Sequence, residues 1–197
     1  MAKRLFDIFF SLLGILILLP FYLIIAILIK RDSPGNVIFK QKRVGKNGHE
    51  FHVYKFRTMV VDAESKGMKI TVGRDPRITN LGHFLRKYKL DELPQIFNVL
   101  FGSMSFVGPR PEVKEYIDEY PEAVRKEVLS VKPGITDNAS IEFREESNIL
   151  SRSPDPRKTY IEDILPVKQR YYLDYVRDRS LLGDVKIIIK TIWEVAR

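Results

Sequence analysis

Asp91 and Glu92 stand side by side in Leu90-Asp91-Glu92-Leu93-Pro94-Gln95, directly after the basic run Arg86-Lys87-Tyr88-Lys89. Adjacent carboxylates on a basic chain have two chemical uses: one can bind Mg²⁺ while the other attacks phosphorus or works as a base. Pro94 pushes Leu93 toward an extended conformation and suits the first turn of a helix, so the pair is expected at or just before a helix N-terminus. Capping that helix is the competing use for such a pair. The surrounding cations favour chemistry. Lys55, Arg57, Arg86 and Arg110 come from separated stretches of chain, and Arg110 is held between Pro109 and Pro111, which restrict its backbone before any ligand binds. Arginine's planar fork matches phosphate oxygens. Two carboxylates, Mg²⁺ and several guanidinium groups are what phosphoryl transfer requires, because its task is positioning and charge stabilisation.

Other chemistries lose support. The chain has no cysteine, which removes disulfides, thiolate zinc sites and cysteine nucleophiles. His49, His52 and His83 match no metal-ligand spacing, and there is neither a Gly-x-x-x-x-Gly-Lys phosphate loop nor a Gly-x-Gly-x-x-Gly fingerprint. A net charge of +8 and a pI near 9.6 favour an anionic partner: nucleic acid, anionic lipid or a phosphorylated small molecule.

The elements that must position these residues are legible in part. Val37 to Arg43 and Phe51 to Met59 read as strands joined by Gly45-Lys46-Asn47-Gly48, a hairpin-loop composition. Lys55 and Arg57, two apart, are expected on one strand face as an anion wall. Residues 62 to 80 read as a helix start followed by loop, and about Leu81 to Leu90 as a helix carrying Arg86, Lys87 and Lys89 toward the acidic pair. Gly102 to Pro111 reads as a loop, Glu112 to Val131 as one helix, and Pro133 to about Pro156 as irregular. Ser180 to Arg197 mixes Leu, Ile and Trp with Lys and Arg, which suits a helix in a membrane interface or, equally, a core helix.

Leu5 to Ile29 is almost wholly apolar, with Asp7 its one charge, and about 20 such residues suffice to cross a bilayer. No cleavage site follows it, so a signal peptide is not expected. Lys3-Arg4 precede the segment and Lys30-Arg31 follow it, and cations at both ends favour the cytoplasmic side for each. Pro20 removes a backbone donor and should bend the helix. A re-entrant hairpin and a kinked spanning helix both satisfy these features.

Six ordered motifs then resemble one family. Lys3-Arg4-Leu5-Phe6-Asp7, Asp32-Ser33-Pro34-Gly35, Gln41-Lys42-Arg43-Val44-Gly45, Lys55-Phe56-Arg57-Thr58-Met59, Leu90 to Gln95 and Met104 to Pro111 are similar to the bacterial sugar transferases, small monotopic phosphoglycosyl transferases, over nearly the whole chain. The resemblance implies transfer of a sugar-1-phosphate from a UDP-sugar to undecaprenyl phosphate with release of UMP, an early membrane step of glycan assembly. It implies Asp91 as nucleophile in a covalent phosphosugar intermediate, and Glu92, with Asp91, at Mg²⁺. It implies Lys55, Arg86 and Arg110, with Arg57 a weaker candidate, against phosphates or nucleotide. It also implies a re-entrant helix broken at Pro20 and an enzyme on the cytoplasmic face of the bacterial inner membrane.

The expected fold is therefore α+β, mainly α. A re-entrant membrane helix hairpin occupies 1–31, and 32–197 form a catalytic domain with a small β-hairpin and interfacial amphipathic helices. Expected partners are the UDP-sugar, undecaprenyl phosphate and the lipid bilayer, with no nucleic acid; a second copy of the chain is allowed. Three departures stand out. Leu19 precedes Pro20 where many relatives carry serine; Pro133-Gly134-Ile135-Thr136 continues into an atypical Asp137 to Glu146; and Tyr172 falls where relatives carry aspartate, with Asp174 two residues on. Competing functions are another membrane phosphotransferase or a membrane-tethered basic adaptor, although the arginine-rich tract with interleaved aromatics expected of a nucleic-acid binder is missing.

Overall fold

A computed structural model describes residues 1–63 and 70–196. Helix α1, Ala2–Asp32, is one continuous helix through Pro20, not two helices joined by a turn. At 1.5 Å per residue it extends about 46 Å. The missing donor at Pro20 thus interrupts one rung of the ladder without ending the helix. Most of α1 exposes apolar side chains, among them Leu16, Ile17, Phe21, Leu23 and Ile24.

The globular part follows at once. Strands β1 (Ile38–Val44) and β2 (Glu50–Phe56) pair antiparallel, with Phe39 opposite Lys55 and Val44 opposite Glu50. Asn47 (φ 57°) and Gly48 (φ 80°) make the tight turn between them, as the loop composition predicts. Helix α2 (Asn80–Lys87) is capped by Thr79, whose hydroxyl accepts from the Gly82 N–H. It ends earlier than expected because Lys89 adopts a left-handed φ of 54°. A 3₁₀ turn over Leu90–Glu92 and helix α3 (Gln95–Phe101) come next. The helix start read from residue 62 falls partly on 64–69, outside the described residues.

Three readings are corrected in the next stretch. The expected loop from Gly102 to Pro111 contains strand β3 (Ser105–Val107), and the expected irregular stretch opens with β4 (Gly134–Thr136), which pairs parallel to it. The two backbones approach so closely that a Cβ on Gly134 would stand 2.1 Å from the Gly108 nitrogen. The single helix read from Glu112 to Val131 is two, α4 (Lys114–Asp118) and α5 (Glu122–Val128), divided at Pro121, which removes a donor and holds Tyr120 out of the helix. Short helices α6 (Asn138–Glu142), α7 (Glu146–Ser151) and α8 (Pro156–Thr159) occupy the rest of the supposedly irregular region. A π-helical turn, Tyr160–Ile164, leads into α9 (Leu165–Asp178), and α10 (Leu181–Ala196) closes the described chain. Among the described residues the architecture is mainly helical with two small two-stranded sheets.

The main core gathers Tyr116, Ile117, Val128, Leu150, Leu165 and Tyr172 from α4, α5, α7 and α9. A second cluster joins Ile25 and Ile29 of α1 to Phe56 and Leu85. Helix α3 locks onto β2 through Asn98, which accepts from the Tyr54 N–H (3.0 Å) and donates to the His52 carbonyl (2.7 Å), so an amide side chain replaces a third strand's hydrogen bonds. Both ends of α1 touch this body. Arg4 donates to the carbonyls of Val99 and Leu100 at 2.6 and 2.7 Å, and Asp7 accepts from Ser105 Oγ at 3.1 Å. Tyr22 donates to the Leu93 carbonyl at 2.9 Å, nearer the far end.

Candidate active site

Glu92 receives two cations. Lys55 Nζ, delivered by β2, lies 2.8 Å from Glu92 Oε1, and Arg110 Nη2, from the loop after β3, lies 2.5 Å from the same oxygen. Arg110 Nη1 donates to Oε2 at 3.3 Å, completing a two-pronged contact. Burial alone would raise the Glu92 carboxyl, but Arg110 and Lys55 outweigh it and hold the group well below the usual carboxylate range. The same contact raises the Arg110 guanidinium well above its ordinary value. Lys55 is lowered by burial despite its anionic partner.

Asp91 is different. It is also buried, yet its Oδ1 finds no hydrogen-bond partner among the described residues. Burial first, and the Glu92 charge second, push its carboxyl above the ordinary range against the pull of Lys55, Arg86 and Lys89. One carboxylate is therefore neutralised and structural, whereas its neighbour is buried and electrostatically unsatisfied. Helix α3 has Pro94 at its N-cap and no side-chain cap bond, so the capping use of the pair is not the one adopted.

Asp91, Lys55 and Arg110 line a cleft of about 1120 Å³, together with Arg86 and Arg43. Arg86 reaches it from the last turn of α2, donating through Nη2 to Thr71 Oγ1 at 3.0 Å and leaving Nη1 buried without a partner among the described residues. Arg57 also borders the cleft, but its guanidinium turns away to the carbonyls of Ile29, Ser33 and Pro34. Lys55 and Arg57 therefore do not face one partner: Lys55 turns to Glu92 and Arg57 to the carbonyls at the end of α1.

The sequence reading passed over a supporting layer. Arg43 sits 3.5 Å from Glu112 Oε2 and donates to the Pro111 carbonyl at 3.1 Å, and Tyr160 donates to Glu112 Oε1 at 2.8 Å. Arg43 could have been found, since Gln41 and Arg43 share a strand face with the register partners of Lys55 and Val53. Tyr160 and Lys168 carry no such signal. Lys168 pairs with Glu146 and lies 5.0 Å from the Tyr160 ring centroid, at the end of the cleft formed by the atypical segment. Tyr172 is fully buried, whereas Asp174, two residues on, is exposed. Among the described residues no group of three or more His, Asp or Glu side chains is poised to enclose a metal.

The chain is similar to several known proteins. A protein of Rhizobium leguminosarum bv. phaseoli named for exopolysaccharide production is 40% identical over 201 residues, covering 96% of this chain and 92% of its own. The UDP-N-acetylgalactosamine-undecaprenyl-phosphate N-acetylgalactosaminephosphotransferase of Aeromonas hydrophila is 37% identical over 96% of this chain. The UDP-glucose:undecaprenyl-phosphate glucose-1-phosphate transferase of Escherichia coli is 37% identical over 98% of it. The chain spans 42% and 40% of the length of those last two relatives. The bacterial sugar transferase profile matches residues 1–197, and with these identities the chain belongs to that family.

Proposed function

We propose that the chain transfers a sugar-1-phosphate from a UDP-sugar to undecaprenyl phosphate, releasing UMP, with Asp91 as the nucleophile. The observation that carries this reading is the divided state of the acidic pair: Glu92 is bound by Lys55 and Arg110, while Asp91 keeps a buried, unpartnered oxygen beside the cleft. In the first displacement that oxygen attacks the β-phosphorus of the UDP-sugar; the bond from this phosphorus to the bridging oxygen breaks, and UMP leaves with the electron pair. In the second, an oxygen of undecaprenyl phosphate attacks the same phosphorus and expels the Asp91 carboxylate, restoring the enzyme. Dividing the reaction this way keeps the two anionic substrates from having to meet in one pocket.

Arg86 and Lys55 are placed to neutralise phosphate oxygens, and Arg110 holds Glu92 so that its charge does not oppose the approaching diphosphate. Mg²⁺ fits this set in the manner usual for it, through one or two carboxylates with substrate phosphates and water. Glu92 Oε2 accepts a single long bond, so it would hold the ion together with the Asp91 oxygen that does not attack. When bound it would supply charge neutralisation at the diphosphate.

α1 supports a membrane arrangement for this enzyme. Docking of Arg4, Asp7, Tyr22 and Ile29 on one globular body supports a re-entrant disposition, since a spanning helix would carry one end across the bilayer. Basic residues at both ends favour the cytoplasmic side. Exposed Leu182, Ile189, Ile192 and Trp193 on α10 suit an interfacial helix beside it. The site then lies at headgroup height, where a lipid phosphate meets a water-borne UDP-sugar. A basic adaptor would give Asp91 no task.

The test is to incubate detergent-purified protein with undecaprenyl phosphate, Mg²⁺ and a panel of UDP-sugars, and to measure UMP. UMP release that disappears in Asp91→Asn is expected; no UMP with any sugar, or equal release by the variant, overturns the reading.

A further inference from the structure

Arg57 follows the last residue of β2, at the junction between the membrane helix and the site. Its neighbour Phe56 is buried against Ile25 and Ile29 of α1 and against Leu85. Its Nη2 donates to the Ser33 carbonyl at 2.7 Å and to the Ile29 carbonyl at 3.4 Å, and Nη1 donates to the Pro34 carbonyl. The Ser33 and Pro34 oxygens lie just past the end of α1, where the macrodipole is negative, and the Ile29 oxygen also accepts from the Ser33 N–H. Gly35 makes room for the contact. It holds a φ of +118°, and a Cβ there would stand 2.3 Å from Arg57 Nη1.

Two residues earlier on the same segment, Lys55 holds Glu92 Oε1. The strand end thus ties the exit of α1 to the acidic pair through a few rigid bonds. The carbonyls occupy both terminal nitrogens of Arg57, and its Nε is buried without a partner among the described residues, so an incoming phosphate would have to displace carbonyls to reach the terminal nitrogens.

We propose that Arg57 is a positioning residue: it sets the height of Asp91 and Glu92 above the membrane helix, and so governs encounter with the lipid phosphate without binding the nucleotide-sugar. This rests on the transferase reading given above. The two substrates differ in freedom. A lipid phosphate is confined to the headgroup plane, so a small shift of the site relative to α1 changes its approach to Asp91. A UDP-sugar comes from water and follows the site wherever it moves. Errors of about 1 Å in such an approach cost on the order of a hundredfold in rate.

The experiment compares Arg57→Gln, Arg57→Lys and Gly35→Ala with the unmodified chain, each in bilayer nanodiscs, by UMP release at varied undecaprenyl phosphate and varied UDP-sugar. Loss of charge-assisted bonds predicts a KM for the lipid raised about tenfold or more in Arg57→Gln. The KM for the UDP-sugar and the inhibition constant of UMP should stay as they are. Arg57→Lys, which keeps the charge but not the fork, should recover part of the loss. Gly35→Ala keeps the arginine and displaces it, so it should show the same split even where Arg57→Gln does not fold. A parallel rise in the UDP-sugar KM and UMP inhibition constant would make Arg57 a phosphate ligand and overturn the proposal, as would variants kinetically identical to the parent. Absence of UMP release from the unmodified chain strikes instead at the transferase reading.

Discussion

Arg110 meets Glu92 through both terminal nitrogens, Nη2 to Oε1 at 2.5 Å and Nη1 to Oε2 at 3.3 Å. The partner taken by Glu92 is one that Asp91 lacks, and the first two predictions rest on that asymmetry.

Asp91→Asn should abolish transfer and stabilise the fold. A buried carboxylate whose Oδ1 has no partner is strained toward its neutral form, and the amide is neutral already. A gain of about 1 kcal/mol would raise the melting temperature by about 2–4 °C in a chain of this size. Thermal unfolding in detergent, read beside UMP release, checks both halves. The acid limb of the kcat/KM profile should also lie above the ordinary carboxylate range. Attack needs the ionised carboxylate, so activity falls as pH drops through the raised Asp91 value.

Glu92→Gln should destabilise, because it leaves the half-buried Lys55 and Arg110 side by side without their buried counter-ion. Breaking a buried pair from one side costs about 3–5 kcal/mol. The folded carboxyl is held below its unfolded value, so its contribution is present above the unfolded pKa and is lost as pH falls through the lowered one. Unmodified protein and variant should therefore differ in stability at neutral pH and converge in strong acid, which denaturation at a series of pH values would reveal.

Single cysteines introduced by Ala2→Cys and Asn36→Cys should label from the same side of sealed vesicles. The parent has no cysteine to compete. Labelling from opposite sides would make α1 a spanning helix and contradict its docking by Arg4 and Tyr22.

Asn98→Ala should loosen α3 from β2. It leaves the Tyr54 N–H and the His52 carbonyl without their side-chain partner, at a cost of about 1 kcal/mol for each bond lost. Amide exchange at Tyr54 should accelerate, while exchange within α9 should not.

The long apolar helix and the first hairpin were legible because each is written in contiguous residues: an apolar run of sufficient length, and two alternating strands around Asn47-Gly48. β3 and β4 were not. Each is three residues long, and they pair across more than two dozen intervening residues, with Gly108 and Gly134 permitting the approach. No local period announces such a pairing.

The sequence alone determined that an acidic pair lies among cations near an apolar helix, since covalent order places Lys89, Asp91 and Glu92 together and composition makes α1 hydrophobic. Which cation serves which anion was decided by tertiary structure. Lys55 and Arg57 are equivalent by strand periodicity, yet β2 ends at Phe56, so Lys55 stays on the sheet face toward Glu92 while Arg57 reaches the carbonyls closing α1. The acidic pair was likewise divided from a distance, because Arg110, arriving from beyond β3, bonds Glu92 and leaves Asp91 Oδ1 unpaired.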